Sequence, residues 1–472
     1  MFFQIKKGDE HPAIYKQIYT QMKELILEEA LTERKLPSKR KLAQDLGVSV
    51  NSVAHAYDQL LAEGYIYSVE RKGYMVEDIT RYIKKDGEND PFPDELKENG
   101  KKESFRPEVT FSHIATDAEY FPFKKWRRYQ QKVIDNHKKQ LSLLPHPQGP
   151  YELRKSIATM IALTRGVRCR PEQIIIGSGT QPLIHKLMCL QPRSTAIAVE
   201  NPGYQRFYQL LKDMDFKVEP IDLDDQGISV DTIREKDPKW VFVTPSHQFP
   251  TGTIMPINRR IKLLNWAAES PDRYIVEDDY DSEFKYETDH IPSLQSLDRN
   301  RQVIYTGTFS KTLLPSLRIS YMILPPELLK RYRSAFGNWI DGPSGLNLWT
   351  LKYFIDKGEY GRHMKRMNAR YKAKRAKLIR ELHRVFGDKI TIHDIPAGLH
   401  FLVEINTDLS YKDIEERAKE KRIELYTIRR FYLKEFHMPQ SNKKQLIIGF
   451  ANMNDNKVQE SVQRLASLFS YT

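Results

Sequence analysis

The sequence predicts a multidomain chain: a small head of three helices and a β-hairpin, a flexible linker, and a large α/β domain on a mostly parallel sheet. Three observations predict it. Over the first 80 residues, apolar residues recur at helical spacing and then give way to two short β runs around a glycine turn. From Arg81 to about Pro107 the chain is rich in Lys, Asp, Glu, Asn and Gly and poor in apolar residues, so it cannot bury enough surface to fold alone. Beyond it, short apolar runs alternate with longer amphipathic segments, the pattern of βα units. The expected boundaries are 1–80 for the head, 81–108 for the linker and 109–472 for the large domain.

In the head, Ile14, Ile18, Met22, Leu25 and Ile26 lie at helical spacing, which predicts a first helix over 12–29. Ser38 is placed to cap a short second helix that Gly47 ends, and Ser49 to cap a third running to about Leu61. Two short helices joined by a glycine-containing turn form a helix-turn-helix. Gly64 ends the third helix. Tyr65–Val69 and Tyr74–Val76 then make a hairpin whose tip, Glu70-Arg-Lys-Gly73, carries two positive charges and forms a wing.

The chain has 472 residues, 40% apolar and 29% charged, with a net charge of +13. No apolar run reaches membrane-spanning length, and the N-terminus is too short for a signal peptide. Cys169 and Cys189 have no metal or disulfide spacing, so they read as structural residues of a cytoplasmic protein, and no metal site is expected. The positive charge is not concentrated in the head, where 11 Lys and Arg face 12 Asp and Glu over residues 1–80. What points to nucleic acid is placement: Arg34, Lys35, Lys39, Arg40 and Lys41 precede and line the second helix, and Arg71 and Lys72 sit on the wing. Basic groups beside a recognition helix are what phosphate contacts require. Arg362–Arg384, with eight Lys and Arg between Arg362 and Lys377, reads as a solvated helix face.

In the large domain the expected strands are Ile174–Ile176, Ala196–Val199, Trp240–Val243, Tyr274–Val276, Val303–Tyr305 and Tyr321–Leu324. Parallel sheets bind ligands beyond the carboxyl ends of their strands, so the residues following each run matter most. After Val303–Tyr305 come Thr308, Ser310, Lys311 and Arg318: a lysine beside hydroxyls and an arginine that can hold a phosphate, which suits a Schiff-base site for pyridoxal 5'-phosphate. After Ile176, Gly179 and Thr180 open a helix whose free N–H groups can receive that phosphate. Tyr204 and Arg206 follow the second run, and Glu277-Asp278-Asp279-Tyr280-Asp281 follows the fourth. One cofactor accounts for all of them. Lys311 forms the linkage, Asp278 pairs with the pyridine nitrogen, Tyr280 bonds the ring hydroxyl, Tyr204 stacks on the ring, and Gly179, Thr180, Thr308, Ser310 and Arg318 hold the phosphate.

Leu-Pro-Ser-Lys-Arg-Lys-Leu-Ala, Leu-Gly-Val-Ser-Val-Asn-Ser-Val and Leu-Ala-Glu-Gly-Tyr make the head resemble the GntR-type winged helix-turn-helix. That likeness implies double-stranded operator DNA as partner, with Arg40, Ser49, Asn51, Ser52, Lys72 and Gly73 as contacts. Val50 stands where these proteins usually have an arginine that reads guanine, so the operator sequence is left open. The region from about Val109 onward resembles fold type I pyridoxal-phosphate aminotransferases through His146-Pro-Gln-Gly149, Leu153-Arg154, Pro250-Thr-Gly252 and Pro396-Ala-Gly-Leu-His-Phe401. Head and body together resemble the MocR group of regulators, closest to its γ-aminobutyrate-responsive members.

Two positions depart from the aminotransferase pattern. Phe249 replaces the asparagine that binds the ring hydroxyl, and the usual substrate-carboxylate arginine is missing from Leu446–Ala451. By analogy with the γ-aminobutyrate-responsive regulators, Arg430 and Arg206 take its place; a guanidinium fork grips a carboxylate at two points. The resemblance implies a homodimeric regulator that senses an amino acid, γ-aminobutyrate or a similar ω-amino acid, by external aldimine formation. The rival expectation is a working aminotransferase with an accessory DNA-binding head, and residual half-transamination fits either.

Overall fold

The computed structural model describes residues 4–28 except 7 and 9, 34–78, 93, 96, 107–287 except 115 and 116, 291–435 and 442–469. The chain divides into two compact units, Met1–Lys102 and Glu103–Thr472. Most of the expected linker, and the ends of the helix expected over 12–29, lie outside the described or helical residues.

In the head, α1 (Ile14–Leu27) buries Ile18, Met22 and Ile26 at the i, i+4, i+8 spacing that puts them on one face. Ser38 accepts from the Lys41 N–H at 3.2 Å and starts α2 (Lys39–Leu46), and Gly47 ends it in the left-handed conformation at φ 61°. Ser49 accepts from the Ser52 N–H at 3.1 Å and starts α3 (Val50–Ala62), which buries Val53, Ala56, Tyr57 and Leu60. β1 (Ile66–Val69) and β2 (Gly73–Val76) pair antiparallel, Ile66 opposite Val76. The caps at Ser38, Gly47 and Ser49 fall where the sequence places them, while α1 is two residues shorter at each end than expected and the hairpin strands each start one residue from their expected positions.

The large unit opens with β3 (Val109–Thr110), then β4 (Ile174–Gly177), β5 (Ala196–Asn201), β6 (Lys217–Asp224), β7 (Gly227–Ile228), β8 (Trp240–Val243), β9 (Tyr274–Asp279), β10 (Val303–Thr308) and β11 (Ser320–Ile323). β4 to β11 form one sheet in the order β4-β11-β10-β9-β8-β5-β6-β7, parallel from β10 through β6 and antiparallel at both margins. Successive residues enter different cores: Trp240 and Phe242 join one, Val241 and Val243 another. A sheet covered on both faces explains why its strands read as unbroken apolar runs. β5, β9 and β10 run two to three residues further than expected, so Glu277, Asp278, Asp279 and Thr308 belong to strands rather than to the loops after them.

β12 (Ile390–His393), β13 (His400–Asn406), β14 (Ile423–Glu424), β15 (Tyr426–Thr427) and β16 (Lys443–Gly449) complete the fold. β12, β13, β16 and β15 make an antiparallel sheet, while β14 pairs with β3. The basic stretch Arg362–Arg384 lies in one helix, Glu359–Phe386. It is not wholly a solvated face: Lys374 and Arg375 are buried. Lys374 Nζ pairs with Asp455 (3.1 Å) and Asp117 (3.6 Å) and donates to the Ala451 and Met453 carbonyls, while Arg375 pairs with Asp394 and donates to the Ile395 carbonyl, so carboxylates and backbone acceptors together compensate the buried charges. Cys169 is half-buried but Cys189 is exposed, so it does not serve the core.

Candidate functional site

The carboxyl ends of β4, β5, β8, β9 and β10 open onto one pocket. It is lined by Gly179, Thr180, Tyr204, Asp278, Tyr280, Thr308, Ser310, Lys311 and Arg318, together with Arg206 and Arg430. All the cofactor and effector residues expected from the sequence therefore face one cavity, though they are spread along the chain from Gly179 to Arg430.

At the phosphate end, Gly179 precedes the helix Thr180–Cys189, whose N-terminus has no side-chain cap. Gly179 has φ 124°, and a Cβ there would run into the guanidinium of Arg318. Thr308 Oγ1 accepts from the Ser310 N–H at 3.1 Å and from Ser320 Oγ at 2.9 Å. Ser310 Oγ is buried and has no hydrogen-bond partner. Uncapped N–H groups, an arginine, clustered hydroxyls and one orphaned buried hydroxyl suit an anion with several oxygens.

At the other end, Asp278 accepts from Thr306 Oγ1 at 2.8 Å, and burial pushes its carboxyl up to about 7. A cationic ring nitrogen beside it would remove that desolvation penalty. Its neighbour Asp279 points the other way into a buried ion pair with Arg165 at 2.7 Å and accepts from Tyr305 OH at 2.5 Å. Lys311 Nζ donates to the carbonyls of His113 (2.7 Å) and Ile114 (3.1 Å), and burial pulls its pKa down to about 8, against the opposing charge of Asp281. A lysine so depressed has a larger nucleophilic fraction at neutral pH.

Arg206 and Arg430 line the pocket and are exposed, and neither pairs with a carboxylate among the described residues. Arg430 lies over the Tyr426 ring at 4.8 Å. Tyr204 stands edge-on to Phe207 and Phe249. Phe249, where aminotransferases carry asparagine, packs against Tyr204, Tyr280, His113, His400 and Phe431, and its phenyl ring brings no donor for a ring hydroxyl.

The structure adds residues that had not been singled out. His113, Asp281, His400, Tyr426 and Phe431 line the pocket, and His247 stands behind it. Burial, together with the charges of Lys311, Arg430 and Arg206, lowers the His113 imidazole to about 3. Asp281 and His247 lie within the quoted motifs or beside them, but spacing alone assigns them no task; His113 and Tyr426 arrive by long-range packing.

In the head, Arg40 on α2, Ser49 and Asn51 at the start of α3, and Lys72 and Gly73 on the hairpin are exposed; Ser52 is half-buried. The Ser49 and Ser52 hydroxyls already bond each other at 2.9 Å. Arg34 pairs with Asp78 and Lys39 with Asp58, each at 2.8 Å, which leaves Lys35, Arg40 and Lys41 without an ion pair among the described residues. Val50 is exposed at the first position of α3.

Residues 14–76 match the model of the bacterial regulatory proteins of the gntR family, and residues 113–465 match aminotransferase class I and II. The chain belongs to the MocR group of HTH-type transcriptional regulators, DNA-binding heads joined to a class I/II aminotransferase domain whose cofactor is pyridoxal phosphate. It is 38% identical to the HTH-type transcriptional regulator YdeL of Bacillus subtilis (strain 168), over 96% of each chain. It is 30% identical to the probable rhizopine catabolism regulatory protein MocR of Rhizobium meliloti, over 98% of this chain and 94% of that one. Among solved structures, the kynurenine aminotransferase of Pyrococcus horikoshii shares the fold, with TM-score 0.69 and 23% identity over 76% of this chain and 90% of that one. No helix among the described residues is long and apolar enough to cross a membrane.

Proposed function

We propose that the large domain is the receptor of an amino acid whose occupancy sets how a dimer of this cytoplasmic chain holds operator DNA. The carrying observation is that Lys311 and two arginines without carboxylate partners among the described residues share one pocket. When bound, pyridoxal phosphate supplies an aldehyde carbon that condenses with primary amines. Lys311 is the residue that holds it; Gly179, Thr180, Thr308, Ser310 and Arg318 take its phosphate, and Asp278 faces its ring nitrogen. Arg206 and Arg430 grip the effector's carboxylate. The resemblance to the γ-aminobutyrate-responsive regulators favours γ-aminobutyrate or a similar ω-amino acid, whose carboxylate is separated from its amine by several carbons.

Ligand and operator affinities must then be linked reciprocally, because a ligand shifts a conformation only by binding one state better than the other. Phe249 supports sensing over turnover, since it removes a polar contact to the ring. The test is an absorbance titration of the cofactor-loaded protein with a panel of α- and ω-amino acids, repeated with operator DNA. A spectral change saturating with one ω-amino acid, lost in Arg430→Ala and altered by DNA, is expected. No saturable change with any amino acid, or sustained multiple turnovers with an added keto acid, would overturn the reading.

A further inference from the structure

Behind the pocket lies a buried contact that neither cofactor binding nor effector capture has used. His247 Nδ1 lies 3.0 and 3.2 Å from the two Asp281 oxygens and 3.0 Å from Tyr280 OH. His247 and Asp281 are almost fully buried, and Asp281 also accepts from the Leu399 N–H at 3.2 Å. Gly398, at φ 71°, allows this approach, because a Cβ there would run into both the imidazole and the carboxylate. Such close packing around one imidazole nitrogen forces a choice of partner.

A ring nitrogen is either a donor or an acceptor, not both. With a carboxylate at 3.0 Å, Nδ1 carries the proton and gives it to Asp281. It therefore has no lone pair for Tyr280, whose hydroxyl proton must go elsewhere. Burial, with Asp281 and Asp278 nearby, raises the Tyr280 pKa well above its ordinary value, so the phenol keeps its proton as a donor. Glu200 and Asp279 act on it in the same sense, and the other charged and titratable groups lining the cavity are Lys311, Arg206, Arg318, Arg430, Tyr204, Tyr426, His113 and His400. Phe249 removes the alternative donor to a ring hydroxyl, which leaves Tyr280 to do that task alone.

Resting on the cofactor placement proposed above, we infer that Asp281 and His247 are positioning residues that hold Tyr280 as a hydrogen-bond donor into the pocket, in place of the contact that Phe249 cannot make. Without His247, the Asp281 carboxylate loses its imidazole donor and competes with the cofactor for the Tyr280 proton. The residue acts through Tyr280, so its loss should reproduce the loss of the Tyr280 hydroxyl.

The test is a pH titration of the visible band of the cofactor–Lys311 linkage in full-length holoprotein, for wild type, Tyr280→Phe, His247→Phe and the double variant. His247→Phe should move the apparent pKa of the band in the same direction as Tyr280→Phe, and the double variant should move it no further than Tyr280→Phe alone. His247→Asn, whose amide can still donate to Asp281, should restore most of the wild-type value. A His247→Phe band titrating within about 0.2 units of wild type, or full additivity in the double variant, overturns the inference. If His247→Phe does not fold, Asp281→Asn takes its place: non-additivity with Tyr280→Phe supports the pairing and additivity overturns it. A wild-type protein with no visible band, or a band unchanged in Lys311→Ala, instead overturns the cofactor placement beneath both readings.

Discussion

Substituting Gly179 with alanine tests the phosphate end of the site through two separable effects. The residue has φ 124°, a region that side chains other than hydrogen rarely adopt, so the strain costs about 1–3 kcal/mol. Over a unit of this size that corresponds to a fall in Tm of roughly 1–4 °C. The added methyl also occupies the place of the Arg318 guanidinium. Because that group is the far end of a flexible side chain, it moves rather than the backbone, and its charge leaves the helix N-terminus at Thr180. A charge-assisted hydrogen bond is worth about 1.5–3 kcal/mol, so pyridoxal phosphate should bind about ten- to a hundredfold more weakly. Titrating apoprotein with the cofactor and following the visible band measures the second effect; melting the apoprotein measures the first. Affinity within twofold of wild type would refute the placement of phosphate between Gly179 and Arg318, whatever happens to Tm.

Arg165→Met strands Asp279, whose partners are Arg165 at 2.7 Å and Tyr305, and withdraws donors from Ser246 and the Ile291 carbonyl, so unfolding in denaturant should become easier by about 3–5 kcal/mol. Asp278 is raised by burial from 3.8 to about 7, so the folded apoprotein holds a proton that the unfolded chain releases. Its contribution therefore declines as pH rises from about 4 to 7 and stays low above that, and Asp278→Asn should remove about one proton's slope from stability against pH across this window. An unchanged slope would show that Asp278 does not titrate there. In the head, Arg40→Ala should weaken operator binding in a mobility-shift assay and lower the slope of log affinity against log salt by about one, the signature of one lost phosphate contact. A weakening independent of salt would place Arg40 off the backbone.

The sequence by itself determined what is local. Ser38, Gly47 and Ser49 act within one helical turn, so their capping roles are visible without knowledge of neighbours. The apolar runs of β8, β9 and β10 are visible because burial on both faces leaves no polar alternation. Gly179, Tyr204, Asp278, Lys311 and Arg318 could be read as one site because each lies in or shortly after such a run, and parallel strands deliver those ends to one edge.

Only the tertiary structure decided which other residues meet there. His113, 198 positions from Lys311, reaches its ammonium through a backbone carbonyl, a contact that carries no side-chain signature. The pairing of His247 with Asp281 depends on how the loop after β8 packs against the loop after β9, and on a glycine at 398 that leaves them room. Lys374 and Arg375 read as solvated because charge pattern reports a segment's own side chains, whereas the carboxylates and carbonyls that receive them come from Asp117 and from residues beyond position 390. Periodicity reports how a segment meets its own solvent and core; convergence of distant segments is set by strand order and long-range packing, to which no local pattern is sensitive.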